Sequence, residues 1–139
     1  MNILYLCTGN SCRSQMAEAW TRFLRPEIHA LSAGTAPGEM DPYAVAVMEE
    51  EEVYLIGQYP KSVDELPPDV EFDYVVTLCS GAAENCPVVP GPGKRVHRGF
   101  DDPPALVKGM TEKDEILAVY RRVRDEIRAM AHGLPGSLG

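Results

Sequence analysis

Residues 2–6 (NILYL) are a short, nearly unbroken apolar run of the kind that forms a fully buried strand. From Ser14 to Leu24, the positions Met16, Ala19, Trp20, Phe23 and Leu24 recur at helical spacing, predicting an amphipathic helix that ends before Pro26. Residues 28–32 (IHALS) read as a second strand, closed by Ala33-Gly34. Asp41 is placed to cap a second helix with Pro42 in its first turn, followed by Ala44, Val45, Val47 and Met48. The acidic run Glu49–Glu52 falls at that helix's C-terminal end, where the helix dipole disfavours negative charge, and is expected to fray as a solvated face. Residues 61–70 are Pro-rich and polar, a loop with room for a short helical turn.

Residues 72–78 (FDYVVTL) give the clearest strand and deliver Cys79 at its carboxyl end. Residues 87–93 (PVVPGPG) exclude regular structure, and residues 94–98 around Val96 predict a short fourth strand. Thr111, with Asp114 completing a capping-box-like pair, opens the longest helix. Ile116, Tyr120, Val123, Ile127 and Met130 line one face of it, and Gly133 followed by Pro135 stops it. This order implies parallel strands with helices on both faces: a three-layer α/β fold around a central four-stranded parallel sheet. Ligands of such sheets bind beyond the carboxyl ends of the strands, where the cysteine-bearing segments lie.

With 139 residues and no internal repeat or linker, the chain is expected to be a single domain over residues 1–139. The balance of 13 basic against 21 acidic residues gives a net charge of −8, a field that repels nucleic acid and anionic membrane. An anionic substrate therefore needs a local site that overcomes the overall field. No apolar stretch approaches the ~18 to 20 residues that span a bilayer, and the start lacks the positive region of a signal peptide. A cytoplasmic address is expected, where thiols stay reduced and the 4 cysteines call for a chemical explanation first.

Cys7-Thr8-Gly9-Asn10-Ser11-Cys12-Arg13-Ser14 joins the first strand to the first helix. Gly9 and Asn10 both tolerate positive φ, so the loop can curl until the backbone N–H groups of Thr8 to Arg13 point inward. With a helix N-terminus behind them they form a nest for a tetrahedral oxyanion, and Arg13 adds a planar fork for two of its oxygens. The same surroundings favour a thiolate at Cys7, and Ser14 is placed to donate to that sulfur. A nucleophile beneath a bound oxyanion is set for in-line attack on the central atom. A Cys7–Cys12 disulfide is disfavoured by the expected compartment. Metal binding is not expected, because no C-x-x-C pair exists and His29, His97 and His132 lack ligand spacing. Cys12 is read mainly as an amide donor of the loop.

The C-x5-R-S pattern resembles the phosphate-binding loop of the low-molecular-weight protein tyrosine phosphatases and of the arsenate reductases that share their fold. "SAGT" (32–35) and "FDDPP" (100–104) resemble that family's second-strand segment and acid loop. "VVTLCSGAAENCP" (75–87) is similar to the thioredoxin-coupled arsenate reductases in particular. The resemblance implies Asp102 as general acid, with Asp101 the second candidate. It also implies a relay in which Cys7 attacks arsenate, Cys79 attacks Cys7, and a Cys79–Cys86 disulfide remains for thioredoxin to reduce. Thiols seven residues apart on a regular helix stand roughly 10 Å from each other, so that bond requires local unwinding. The small, polar residues 80–85 permit it.

The implied substrate is arsenate, with phosphate or sulfate competing, and no tightly bound cofactor is implied. Some members hold a potassium ion near the loop through side chains that include an aspartate before the third strand. Here Ser62 stands in that place with Asp64 close by, while Glu18, Asn10 and Ser32 remain, so a potassium ion stays an open expectation. Arg98 replaces an aromatic residue frequent in the family. The alternative is a phosphatase using Cys7, Arg13 and Asp102 alone, against which Pro104-Ala105-Leu106 lacks the tyrosines lining the phosphatase cleft. A non-enzymatic anion sensor leaves Asp102 and the paired thiols without a role. A glutaredoxin–glutathione reductant would make Cys86 unnecessary.

Overall fold

The computed structural model describes residues 1–80 and 91–139. Its strands are β1 (Asn2–Cys7), β2 (His29–Gly34), β3 (Tyr74–Thr77) and β4 (Lys94–His97), and its helices α1 (Arg13–Leu24), α2 (Pro42–Glu49), α3 (Pro103–Leu106) and α4 (Lys113–His132). The strands form one parallel sheet in the order β2-β1-β3-β4. β1, the most apolar stretch, lies between two neighbours, and Ile3 to Cys7 are buried throughout.

One face of the sheet presents Ile3, Tyr5 and Val76 to Met16 and Trp20 of α1, Val47 and Met48 of α2, and Tyr120, Val123 and Ile127 of α4. The opposite face presents Leu4, Leu6, Ala33 and Val75, packed under Val63, Leu66 and Phe72. Among the described residues, that second face is covered by the segment carrying a single 3-10 turn, Val63–Glu65, rather than by an α-helix. Ser62 and Glu65 close a capping box on this turn.

Asp41 caps α2 as expected, its side chain accepting from the Tyr43 N–H at 2.9 Å. The acidic run after it is exposed, yet Glu50 is not idle: Arg121 grips it with bonds of 2.7, 2.9 and 3.2 Å, and Arg124 adds one of 2.9 Å. These charge-assisted bonds tie the end of α2 to α4 and hold the Glu50 carboxyl below its ordinary pKa, the Arg121 hydrogen bonds contributing most. α4 begins at Lys113 with Glu112 as its cap, which makes no side-chain capping bond, so the Thr111–Asp114 box does not form. Asp114 and Glu115 instead lie in the first turn, where the helix dipole favours them.

Candidate active site

β1 ends at Cys7 and α1 begins at Arg13, so the five intervening residues turn in the space beyond the carboxyl edge of the sheet. Cys7, Thr8, Gly9, Asn10, Ser11, Cys12 and Arg13 line a cavity of about 220 Å³, together with Asp102 and Pro104. Thus the loop and the acid segment meet in one place.

The loop's carbonyls are committed outward. Thr8, Gly9 and Ser11 accept from the backbone N–H groups of Ala36, Gly38 and Asp41, each at 3.0 Å. The Asn10 carbonyl accepts from Gln15 Nε2 at 2.9 Å. A trans peptide directs N–H opposite to C=O, so these bonds turn the amides of Gly9 to Cys12 the other way. Of Gly9 and Asn10, only Asn10 takes the left-handed conformation, at φ 49°. Its side chain over-determines that geometry: Nδ2 donates to Ser14 Oγ at 2.8 Å and Oδ1 accepts the Lys61 backbone N–H at 2.9 Å. Gly9 is therefore not needed for the left-handed turn.

Gly34, at the end of β2, fits against the back of the loop. A Cβ there would lie 2.8 Å from the Cys7 carbonyl oxygen and nearer still to that of Thr8. Gly34→Ala is expected to displace the loop, lowering stability by about 1–3 kcal/mol through overpacking and lowering turnover beyond what the stability loss explains. Urea denaturation and steady-state kinetics on the same preparation check this.

Arg13 is buried and anchored from behind. Its Nη1 donates to the carbonyls of Leu78 at 3.3 Å and Phe100 at 3.0 Å, and its Nη2 lies 3.5 Å from Asp102 Oδ1. One guanidinium thus joins the nest, the end of β3 and the acid loop. Asp101 is turned away and pairs with Arg122 at 3.0 Å, which leaves Asp102 as the carboxylate at the cavity. Asp102 also precedes α3, with Pro103 in that helix's first turn. Arg98 lies with its guanidinium carbon 5.3 Å from the centroid of the Phe100 ring, a cation–π contact at the entry to this segment.

Ser14 is fully buried behind the loop, its oxygen accepting from Asn10. No disulfide joins Cys7 to Cys12. Burial pushes the Cys12 thiol well above its ordinary pKa; the charges of Asp41 and Asp102 raise it further, and Arg13 opposes them. Cys12 is therefore a neutral thiol. Cys79 is fully buried just past β3. Leu6 stands opposite Thr77, and the Leu78 N–H donates to the Leu6 carbonyl at 3.0 Å, so the chain reaches Cys7 and Cys79 along adjacent strands at one edge. Cys86 lies outside the described residues.

Sequence patterns gave no sign of Gln15, Gln58 and Lys61. Gln58 Nε2 donates to Gln15 Oε1 at 2.9 Å, and Gln15 in turn holds Asn10. Gln15 is wholly buried on a helix face it shares with Glu18, and nothing in the order of residues marks that burial. Glu18 is also buried, with Oε1 accepting from Ser32 Oγ at 2.6 Å and Oε2 paired with Arg22 at 2.8 Å. Lys61 Nζ stands 3.8 Å from Glu18 Oε1. The group expected to hold a potassium ion therefore already faces two side-chain cations, and the Asn10 oxygen is occupied by the Lys61 N–H. These residues do not fit an added monovalent cation. Among the described residues, no three His, Cys, Asp or Glu side chains gather as a metal site, and no helix is long and apolar enough to cross a membrane.

A cysteine nest closed by an arginine, on a parallel sheet of this order, has close relatives. The family model for low molecular weight phosphotyrosine protein phosphatase matches residues 2–138. The chain belongs to that family. Within the low molecular weight phosphatase family, it is similar to an arsenate reductase of Halalkalibacterium halodurans, 47% identical over 126 residues, 90% of this chain and 88% of the relative. The crystal structure of an arsenate reductase from Archaeoglobus fulgidus superposes with a TM-score of 0.77 at 30% identity, covering 96% of this chain and 98% of the other. A thioredoxin-dependent arsenate reductase of Corynebacterium glutamicum superposes with a TM-score of 0.60 at 26% identity, covering 93% of this chain and 59% of that one.

Proposed function

We propose that this protein is an arsenate reductase in which Cys7 is the nucleophile and Cys79 and Cys86 carry the oxidising equivalents to thioredoxin. The observation that carries this reading is the placement of Cys79 past β3, beside the strand that ends in Cys7. A phosphatase needs no second thiol there. The cavity of about 220 Å³ also lies below the 300–1,000 Å³ usual for larger ligands. Among the described residues it is walled, beyond the loop, by Asp102 and Pro104 and by no aromatic ring, which suits a bare tetrahedral anion better than a phosphotyrosine. The arsenate reductase relatives support the same reading.

Arsenate, and phosphate or sulfate in competition with it, binds the amides of Thr8 to Arg13 and the Arg13 fork. The Ser14 oxygen accepts from Asn10, which leaves its hydrogen for the Cys7 thiolate. That thiolate attacks arsenic(V), Asp102 gives a proton to the departing oxygen, and water leaves a Cys7–arsenic adduct. The Cys79 thiolate then attacks the Cys7 sulfur. The sulfur–arsenic bond breaks with its electron pair going to arsenic, giving arsenite and a Cys7–Cys79 disulfide. Cys86 attacks Cys79 in turn and frees the Cys7 thiolate. The Cys79–Cys86 disulfide is reduced by the thioredoxin dithiol, which takes up the oxidation that arsenate supplied. Such a relay suits the reducing cytoplasm.

Cys79 is fully buried in the segment just past β3, at the sheet edge where Cys7 ends β1. Arg13, bonded to the Leu78 carbonyl, keeps the base of that segment in register with the nest.

The test is arsenate-dependent NADPH oxidation with thioredoxin and thioredoxin reductase. Wild type is expected to turn over continuously, and Cys86→Ser to release one equivalent of arsenite and stop. No arsenate response, with hydrolysis of an aryl phosphate, would make the chain a phosphatase. Asp102→Asn is expected to lower the rate of adduct formation about 100-fold, read from single-turnover arsenite release, since removing a positioned general acid typically costs 10²–10⁴.

A further inference from the structure

Lys61 is buried in the segment that crosses behind the catalytic loop, and four contacts define its position. Its backbone N–H holds Asn10 Oδ1 at 2.9 Å, and its carbonyl accepts the Gly34 N–H at 2.9 Å. Its ammonium stands 3.8 Å from Glu18 Oε1 and 5.1 Å from the centroid of the Tyr59 ring. Glu18, with almost no exposure, is an anion on α1 one turn beyond Ser14, and Ser32 on β2 shares its Oε1.

A carboxylate this deeply buried requires compensating charge. Arg22 meets Oε2 at 2.8 Å but is itself 45% exposed, so solvent screens much of its charge. The ammonium of Lys61 is 8% exposed and faces the other oxygen. Desolvation lowers its pKa and the Glu18 charge opposes that shift; Arg22 lowers it and Glu65 raises it. Main chain and side chain of one residue thus reach two elements of the same support: the loop through Asn10, and α1 through Glu18.

We propose that the ammonium of Lys61 is a tethered cation filling the pocket of Glu18, Ser32 and Asn10, and that it positions the catalytic loop so that no free monovalent cation is needed. The backbone N–H of Lys61 bonds directly to Asn10, the residue whose left-handed conformation shapes the nest. A cation carried on the chain has no dissociation equilibrium, so loop geometry becomes independent of the surrounding salt. An exogenous ion would give the same charge compensation only at concentrations near its dissociation constant.

The inference is independent of which oxyanion is turned over, because loop order can be read without arsenate. The experiment compares potassium chloride with tetramethylammonium chloride at matched ionic strength, for wild type, Lys61→Thr and Lys61→Met. The readouts are thermal midpoint, the rate of Cys7 alkylation by iodoacetamide, and kcat/KM for arsenate. Wild type is expected to be indifferent to the choice of salt in all three. Lys61→Thr leaves space and an oxygen in the pocket. It is expected to lose about tenfold in kcat/KM in tetramethylammonium, the equivalent of roughly 1.4 kcal/mol. In potassium it should recover most of that loss, with its thermal midpoint rising by several degrees. Lys61→Met, which fills the space without charge, is expected to lose activity in both salts.

A potassium-specific rise in the wild-type midpoint or alkylation rate overturns the proposal, whatever the variants do. So does Lys61→Thr behaving alike in both salts, or Lys61→Met matching wild type. If no form reduces arsenate while the salt pattern of midpoint and alkylation is as expected, the proposed activity falls and the tethered cation stands.

Discussion

Cys7→Ser should give a folded chain that still binds phosphate in its loop and forms no arsenite at all. A serine hydroxyl at this position cannot form the sulfur–arsenic adduct, and without Cys7 sulfur there is no disulfide through which arsenic receives its electron pair. The loss is therefore absolute rather than a fraction of the rate. Two measurements check it: arsenite released per enzyme in a single turnover, and protection of the thermal transition by phosphate. Arsenite from Cys7→Ser would move the nucleophile elsewhere. The contrast is Cys12→Ser, in the same loop. There the thiol is held neutral by burial and by the charges of Asp41 and Asp102, and the loop uses the residue's backbone. Its rate should stay within about threefold of wild type, since a hydroxyl is a near-isosteric neutral replacement and changes of this size lie under 1 kcal/mol. Those two results would separate the cysteines of one loop into a reacting sulfur and a structural one.

What the chain revealed in advance follows from where its signals are local. β1 and α1 were legible because an unbroken apolar run and a 3.6-residue repeat survive without tertiary context. The nest was legible for the same reason: Cys7 to Arg13 are consecutive, so their spacing is itself the geometry. Asp102 depended on the resemblance of residues 100–104 to the family's acid loop, because an Asp-Pro pair by itself is a common turn. Boundaries were weaker. Residues 72 and 73 do not extend β3, because Phe72 packs on the second face of the sheet and Asp73 instead accepts from the Asn2 N–H at 2.7 Å. The start of α4 shifted because an exposed cap is worth only about 1 kcal/mol, less than the packing of Ile116, Tyr120 and Val123 that fixes the helix against the core. α3 lies in what the sequence presents only as the acid loop, since four residues carry no period.

The support behind the loop was illegible for another reason. Gln15, Gln58 and Lys61 act through hydrogen bonds that reach residues 5 to 51 positions away. Nothing in a string of letters marks a lysine as buried, and burial of this one depends on Glu18, itself hidden on a helix where a surface charge would look the same. Glu50 shows the converse: a residue read as solvated face is exposed and still joins two helices. Chemistry that depends on neighbours in sequence can be read early, whereas charge compensation across elements appears only when the elements are assembled.

Arg13→Lys should lower kcat/KM for arsenate about 1,000-fold, although it preserves the charge. The guanidinium has two sets of contacts to satisfy at once. Nη1 holds the Leu78 and Phe100 carbonyls, and the plane those bonds fix determines where the remaining N–H groups point. A lysine ammonium has no such plane. It can meet the oxyanion or the two carbonyls, and whichever it leaves, a buried acceptor goes unsatisfied, at about 1–3 kcal/mol each. The ground state and the transition state are affected differently. Charge alone still attracts arsenate, so KM should rise by about tenfold, while the fixed fork that follows the oxygens during attack is lost, so the larger fall should be in kcat. In the proposed relay the step after adduct formation belongs to Cys79, whose segment is tied to Arg13 through the Leu78 carbonyl. Single-turnover kinetics should therefore show two slowed phases in Arg13→Lys, adduct formation and the transfer to Cys79. A variant with only KM raised would mean that Arg13 binds the anion and positions nothing else.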